Sequence, residues 1–302
     1  MVPTPLLAAA ALAGAAVALA APAHAEKLVG LVGSTGITVF NSMAPATTGQ
    51  VRMVQGLMGE QLVGIDVRPA TGMLYGLGNM GGIFTTSLAQ GEARATRVAG
   101  LVDAMGMPVA LTGTAFGIDF NPVPDRLRVV TDVRQNLRIN VDTGLTITDG
   151  MLTYDPMDPN AGQAPRLVAA AYTNSFAPSP RTPPPGTTLF YIDSALDTLV
   201  TTTLPNAGIV TTVGMAGRPS DATGFDISGV SGIAFASWAG GDGLDRLFRL
   251  DLMTGMPMMV GIIGPGTLGI TDIAVAPAQT PAPAALALFG LAALALGLRR
   301  RA

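Results

Sequence analysis

A short strand of the form apolar-Asp-apolar returns along the chain at a near-constant interval, and this recurrence limits the fold more than any other feature. It reads Ile65-Asp66-Val67, Ile118-Asp119-Phe120 and Phe225-Asp226-Ile227. The first two acids are 53 residues apart and the next two 107, close to twice that spacing. The skipped copy falls in Ala169-Ala170-Ala171-Tyr172-Thr173 and a last one in Ile273-Ala274-Val275, both without the acid. Three further apolar runs follow each complete copy; after Asp119 they are residues 127–130, 137–139 and 145–148. Thr71-Gly72, Thr143-Gly144 and Thr254-Gly255 supply turns between runs. Four short strands per unit of about 40–50 residues is the pattern of a propeller blade.

The count closes on a ring. Residues 26–280 make a body of 255 residues, so five units would average 51. The last copy, at residues 273–275, has no strands after it, whereas the runs at 28–32, 37–40 and 51–55 have no Asp strand before them. Joining the two ends completes the ring and removes exposed sheet edges. The expectation is an all-β fold: a β-propeller of five blades, each of about four strands, closed by N- and C-terminal strands. Six or seven irregular blades are the alternatives, and a pair of β-sandwiches gives no reason for the period. No linker divides the body. Residues 178–186, with five prolines, read as a stiff loop inside the fourth unit.

Both ends of the 302-residue chain are compositionally distinct. Residues 1–25 carry no charged side chain, residues 6–21 contain only Ala, Leu, Val and Gly, and Ala23-His24-Ala25 offers the small-x-small pattern of a cleavage site before Glu26. This predicts a signal peptide over 1–25, although no Lys or Arg stands in its first residues. At the other end Pro281-Ala282-Pro283 precedes an apolar stretch, residues 284–298, and Arg299, Arg300 and Arg301 follow. Fifteen helical residues span about 22 Å, short of a 30 Å hydrocarbon core, and including residues 281–283 makes the span marginal. The arginines would hold that end in the cytoplasm. The tail, residues 281–302, resembles the PEP-CTERM sorting signal of Gram-negative bacteria, with Pro281 and Pro283 in the motif but Ala282 in place of its acid. The leader implies signal peptidase as a partner and the tail resemblance an exosortase-like protease, with a transmembrane helix that anchors the chain until processing; a plain C-terminal membrane anchor is the alternative. Either way the body is expected to be exported, in the cell envelope or extracellular matrix.

The chemistry open to the body is narrow. There is no cysteine, and the single histidine, His24, leaves with the leader. Ser-His-Asp and Cys-His machineries are therefore excluded, and zinc or copper sites would need carboxylates alone. Without the three terminal arginines, 14 basic residues face 20 acidic ones, a net charge of −6, which does not suit nucleic acid.

The densest polar group is Asp119, Asn121, Asp125, Arg126, Arg128, Asp132, Gln135, Asn136 and Arg138. In a strand Arg126 and Arg128 share a face and can grip a carboxylate, a sulfate or a sugar acid. The competing reading pairs them with Asp119, Asp125 or Asp132 across strands as a fastener. Asp66, Asp119 and Asp226 recur at one position, so they form either a carboxylate ring on the channel, able to bind Ca²⁺ or to do acid/base work, or an architectural device that satisfies turn amides. Asp155, Asp158 and Asn160 are weaker calcium candidates, as are Asp242 and Asp245, since Asp-Pro pairs also make turns. Trp238, Tyr75, Tyr154 and Tyr172 could stack on a sugar, but packing explains them as well. No cofactor is implied beyond calcium.

Two strings carry a further resemblance: Gly113-Thr114-Ala115-Phe116-Gly117-Ile118-Asp119-Phe120-Asn121-Pro122, and Gln135-Asn136-Leu137-Arg138-Ile139-Asn140. With Ala170-Ala171-Tyr172-Thr173-Asn174-Ser175 and Pro205-Asn206-Ala207-Gly208, they look like the bacterial domain-of-unknown-function family numbered 4394. That resemblance implies a secreted, propeller-like domain and no catalytic residues. The expected function is a non-enzymatic binding or scaffold propeller, with extracellular polysaccharide as a candidate partner. The alternative is a carboxylate-based hydrolase or lyase acting on polysaccharide or lactone.

Overall fold

The computed structural model describes residues 25–89, 91–177 and 186–277. The leader and tail expectations, apart from Ala25 and Glu26, and the proline-rich loop up to Pro185 lie outside the described residues. Within them the fold is all-β, and no helix is long and apolar enough to cross a membrane.

Four antiparallel meanders follow one another. The first is β5 (Leu62–Arg68), β6 (Met73–Gly78), β7 (Gly82–Ser87) and β8 (Ala93–Gly100). The second is β9 (Phe116–Asn121), β10 (Arg126–Thr131), β11 (Asn136–Ile139) and β12 (Thr146–Thr148). In the third, β14 (Leu167–Tyr172), β15 (Leu189–Asp193), β16 (Thr198–Leu204) and β17 (Ile209–Met215) are joined by β13 (Thr153–Tyr154), which pairs parallel to β17. The fourth is β18 (Gly224–Ile227), β19 (Ala234–Ala239), β20 (Asp245–Leu250) and β21 (Pro257–Ile262). A last unit is built from both ends of the body. There β22 (Ile270–Val275) pairs with β1 (Lys27–Val32), which pairs with β2 (Gly36–Asn41), and β3 (Ala44–Thr48) and β4 (Arg52–Gln55) both lie beside β2. The β1–β22 ladder is the closure expected from the unmatched runs at the two ends. A short parallel pairing of β4 with β8 fuses this unit to the first meander.

The first strand of each unit faces the next unit's first strand: β5 packs on β9, β9 on β14, β14 on β18, β18 on β22, and β22 on β5. Apolar side chains fill the space between neighbouring units. Ile65 and Leu74 meet Val29 and Leu31, Tyr75 and Leu77 meet Phe120 and Val129, and Val130 meets Tyr172 and Tyr191. Further round, Phe190 and Ile192 meet Phe225 and Ala236, and Phe235 and Leu247 meet Leu28 and Ile273. Each sheet is thus apolar on both faces, which explains the near-continuous buried runs such as Leu167–Tyr172.

Near the axis the first strands approach too closely for side chains. A Cβ on Gly117 would lie 2.5 Å from the Ala169 carbonyl carbon, and one on Gly224 2.4 Å from the Ile273 nitrogen. Gly64, Gly117 and Gly224 each stand two residues before an Asp, on the same face of the strand. The recurring unit is therefore Gly-x-Asp: glycine admits the neighbouring strand and the acid then binds it.

Candidate functional site

Asp66, Asp119 and Asp226 come together on the axis, 3%, 1% and 4% exposed. Each offers a carboxylate oxygen within 4.8 Å of the other two. Burial fixes their partners. Asp66 Oδ1 accepts the N–H of Val67 (2.6 Å) and Oδ2 that of Phe120 in β9 (2.7 Å). Asp226 repeats the pattern with Ile227 (2.6 Å) and Val275 in β22 (2.5 Å). These acids latch one unit to the next.

Asp272 joins the ring unforeseen. Its strand lacks an acid at Ala274, the position equivalent to Asp66, but carries one two residues earlier, where the three Asp-bearing strands have glycine. There Asp272 accepts from Ile273 and, at 2.8 Å, from Ile65 of β5. Burial holds all four carboxyl groups above their ordinary range. Repulsion from Asp226 and Asp272 adds to this for Asp66, and repulsion from Asp66 and Asp226 for Asp119. Asp226, relieved by the amides of Val275 and Ile227, is pushed up to about 7. Asp119 faces the Tyr172 amide of β14, which favours its charged form, while its Oδ1 has no hydrogen-bond partner. A cavity of about 420 Å³ opens onto Asp66 and Asp226, walled by Val67, Phe176, Ser228 and Val275.

The second cluster is the polar group on β9–β11. Register places Asp119, Arg128 and Arg138 opposite one another, hence on one face. Arg128, 2% exposed, does not pair with Asp119, Asp125 or Asp132 as the fastener reading expects. Its guanidinium donates to Asp149 (2.6 Å), Asn136 (2.7 Å) and Asn206 (2.9 Å). The three expected acids are engaged elsewhere. Asp119 turns to the axis, Asp125 binds Arg68, and Asp132 accepts from Thr114 and Ala115 and lies 3.3 Å from Arg166. Arg138 grips Asp149 with two hydrogen bonds, so two arginines share one carboxylate.

Among the described residues Arg126 donates only to the carbonyls of Pro124 and Asp125. Asn121 accepts the Val123 amide, and Asn136 donates to the carbonyls of Gly150 and Pro205. A cavity of about 220 Å³ lies between Arg126, Arg128, Arg138 and Asn206; no carboxylate lines it.

The remaining candidates have ordinary structural partners. Asp155 accepts the Met157 amide, while Asp158 binds Thr212, which also receives Asn160 Nδ2. Asp242 pairs with Arg246, and Asp245 accepts the Gly269 amide. Trp238 stacks on Phe248 in the core at 3.9 Å between centroids, Tyr75 packs edge-on against Phe120, and the Tyr154 hydroxyl donates to Asp193.

The architecture defines an all-β, propeller-like protein with a closed run of inner strands. The chain belongs to the family described as Domain of unknown function (DUF4394), whose model matches residues 36–274. No curated protein matches it. Among solved structures it is similar to a chain of a nidogen/laminin complex, at 12% identity over 85% of this chain and 100% of that one, with a TM-score of 0.44. A structural genomics protein of unknown function from Bacteroides thetaiotaomicron is 14% identical over 85% of this chain and 68% of its own, with a TM-score of 0.49. TolB from Acinetobacter baumannii is 9% identical over 78% and 53%, with a TM-score of 0.40.

Proposed function

We propose that the protein is an exported, five-bladed binding or scaffold propeller that holds acidic groups of an extracellular polysaccharide at the arginine cavity. The cavity carries the reading. Three arginines line about 220 Å³ in a body whose net charge is −6, and while Asp149 pairs with Arg128 and Arg138, Arg126 has no carboxylate partner among the described residues. Arg128 is consumed by Asp149, Asn136 and Asn206, but Arg126 spends its hydrogen bonds on two carbonyls through a single nitrogen. A planar guanidinium with unused donors is suited to a carboxylate or sulfate. The five-blade count is supported by five inner strands that pack in sequence and return to the first.

A hydrolase built on the axial acids is disfavoured by burial and by their partners. Asp66, Asp119 and Asp226 are at most 4% exposed, and both oxygens of Asp66 and of Asp226 already accept backbone amides. Export is supported by Glu26, the first residue of the expected mature chain. It is buried, its N–H donates to Ser42, and its carboxylate accepts from Ser231, while Ala25 is exposed.

The test expresses the full chain, and a version ending at Thr280, with fractionation of envelope and medium. The product is then applied to immobilised uronate-bearing, sulfated and neutral glycans. The expected result is tail-dependent membrane retention, and acidic-glycan binding that Arg126→Ala reduces without changing the melting temperature. Membrane retention of the truncated form refutes the anchor. Binding indifferent to Arg126 refutes the site.

A further inference from the structure

Three carboxylates from different sheets converge on the axis, and none takes part in any ion pair among the described residues. Asp119 is the informative member. Its side chain is 1% exposed and aimed at Asp66 and Asp226, yet its Oδ1 has no hydrogen-bond partner. Latching explains both oxygens of Asp66 and of Asp226, each of which accepts a backbone N–H. It does not explain Asp119 Oδ1. A buried carboxylate oxygen left bare is rare in folded proteins, and an ion or water normally accounts for one.

The geometry indicates which ligand fits. Three points separated by no more than 4.8 Å all lie within 4.8/√3, about 2.8 Å, of a common centre. Calcium–oxygen distances of about 2.3–2.6 Å fit that ring with little adjustment, whereas magnesium requires about 2.0–2.1 Å and strict octahedral geometry. The donors are all carboxylate oxygens, which select hard cations over zinc or copper. Calcium takes six to eight oxygens, so water must complete its shell. The cavity that opens onto Asp66 and Asp226 gives both water and the ion a way in.

We propose that Asp66, Asp119 and Asp226 form a calcium site on the axis, where one ion ties together three sheets. The ion offsets two of the negative charges gathered there and gives the bare oxygen of Asp119 a partner. The proposal is independent of export and of the arginine cavity.

The test uses the full-length chain, purified in mild detergent, stripped with EGTA and then equilibrated with CaCl₂ or MgCl₂. Metal analysis after gel filtration is expected to find one calcium per chain. The melting temperature is expected to be about 5 °C or more higher in calcium, at a hundredfold excess over Kd, than in EGTA, with a smaller effect of magnesium. Asp119→Asn keeps the shape and removes the charge, and is expected to lose both the bound calcium and the shift. The double variant Asp155→Asn/Asp158→Asn is expected to keep both. Wild-type protein that binds no calcium and melts identically in EGTA and CaCl₂ overturns the proposal. So does a calcium response that persists in Asp119→Asn or disappears in the Asp155/Asp158 variant. If Asp119→Asn fails to fold, equilibrium dialysis of calcium against the wild type and the Asp155/Asp158 variant gives the same decision.

Discussion

Removing Asp149 should cost more stability than removing the arginine it binds. Asp149 is nearly buried and accepts from two guanidiniums, Arg128 at 2.6 Å and Arg138 at 2.7 Å. In Asp149→Ala the Arg128 charge, 2% exposed, loses its only carboxylate. Breaking a buried pair from one side costs about 3–5 kcal/mol. Arg138, 31% exposed in its side chain, contributes little, because solvent screens it. Arg128→Met instead removes the buried charge and fills its volume, while Asp149 keeps Arg138. The loss is then the donors to Asn136 and Asn206. Asn206 borders the cavity and can turn to water, so the total should be about 2 kcal/mol. Urea unfolding of the two single variants and the double should show the lowest midpoint for Asp149→Ala, and a double variant no worse than it. If Asp149→Ala costs under about 1 kcal/mol, or less than Arg128→Met, the buried-charge argument is refuted.

Two further outcomes follow from the axis. Gly117→Ala sets a methyl 2.5 Å from the Ala169 carbonyl carbon, a backbone atom with nowhere to go. Overpacking of this kind costs about 1–3 kcal/mol, so thermal melts should fall by several degrees, and an unchanged melt refutes the close approach. In chelator, stability should decline as pH rises. The axial acids have raised folded-state pKa values, so as pH rises above about 4 the unfolded chain releases protons that the folded chain retains; for Asp226 this window runs from about 4 to 7. For Asp226 alone, a rise from 3.8 to about 7 corresponds to about 4 kcal/mol, lost across that window and constant above it. Acids held down by arginine partners, such as Asp142 and Asp221, act below that window, where stability falls with falling pH. Melts from pH 4 to 8 that rise toward the alkaline end would contradict the assignment.

The repeat was legible because it is local. Four strands per unit, the Asp position and the unmatched end strands all stand in one dimension, and the β1–β22 ladder follows from them. Gly-x-Asp was equally visible at residues 64–66, 117–119 and 224–226, and signals the close approach of inner strands. The shared face of Arg126 and Arg128 also follows from the two-residue period of a strand. The partner of Arg128 does not. Asp149, 21 residues away, follows β12 and is set beside β11 by the pairing of the same sheet, whereas Asn206, 78 residues away, comes from the β16–β17 turn of the next sheet. Asp272 escaped because it sits two residues before the repeat position, where a register reading expects glycine.

The axis is informative where it departs from repetition. If every unit kept its Asp, five like charges would crowd one narrow channel, each burdened by desolvation and by the others. The chain instead has Ala171 in β14 and Ala274 in β22, both 0% exposed and packed in apolar clusters beside Phe225 and Ile65. The β22 latch survives because Asp272, one pleat away, reaches Ile65 of β5. The β14–β18 junction has no latch and is held by apolar packing of Ala169 and Ala171 on Phe225 and Ile227. Repetition alone accounts for a carboxylate in each unit that binds the next unit's backbone. It does not account for a bare carboxylate oxygen on Asp119 when Asp66, Asp226 and Asp272 each accept backbone N–H groups with both oxygens. That asymmetry separates a site from a fastener, and it makes Asp119, rather than Asp66 or Asp226, the residue whose substitution distinguishes the two.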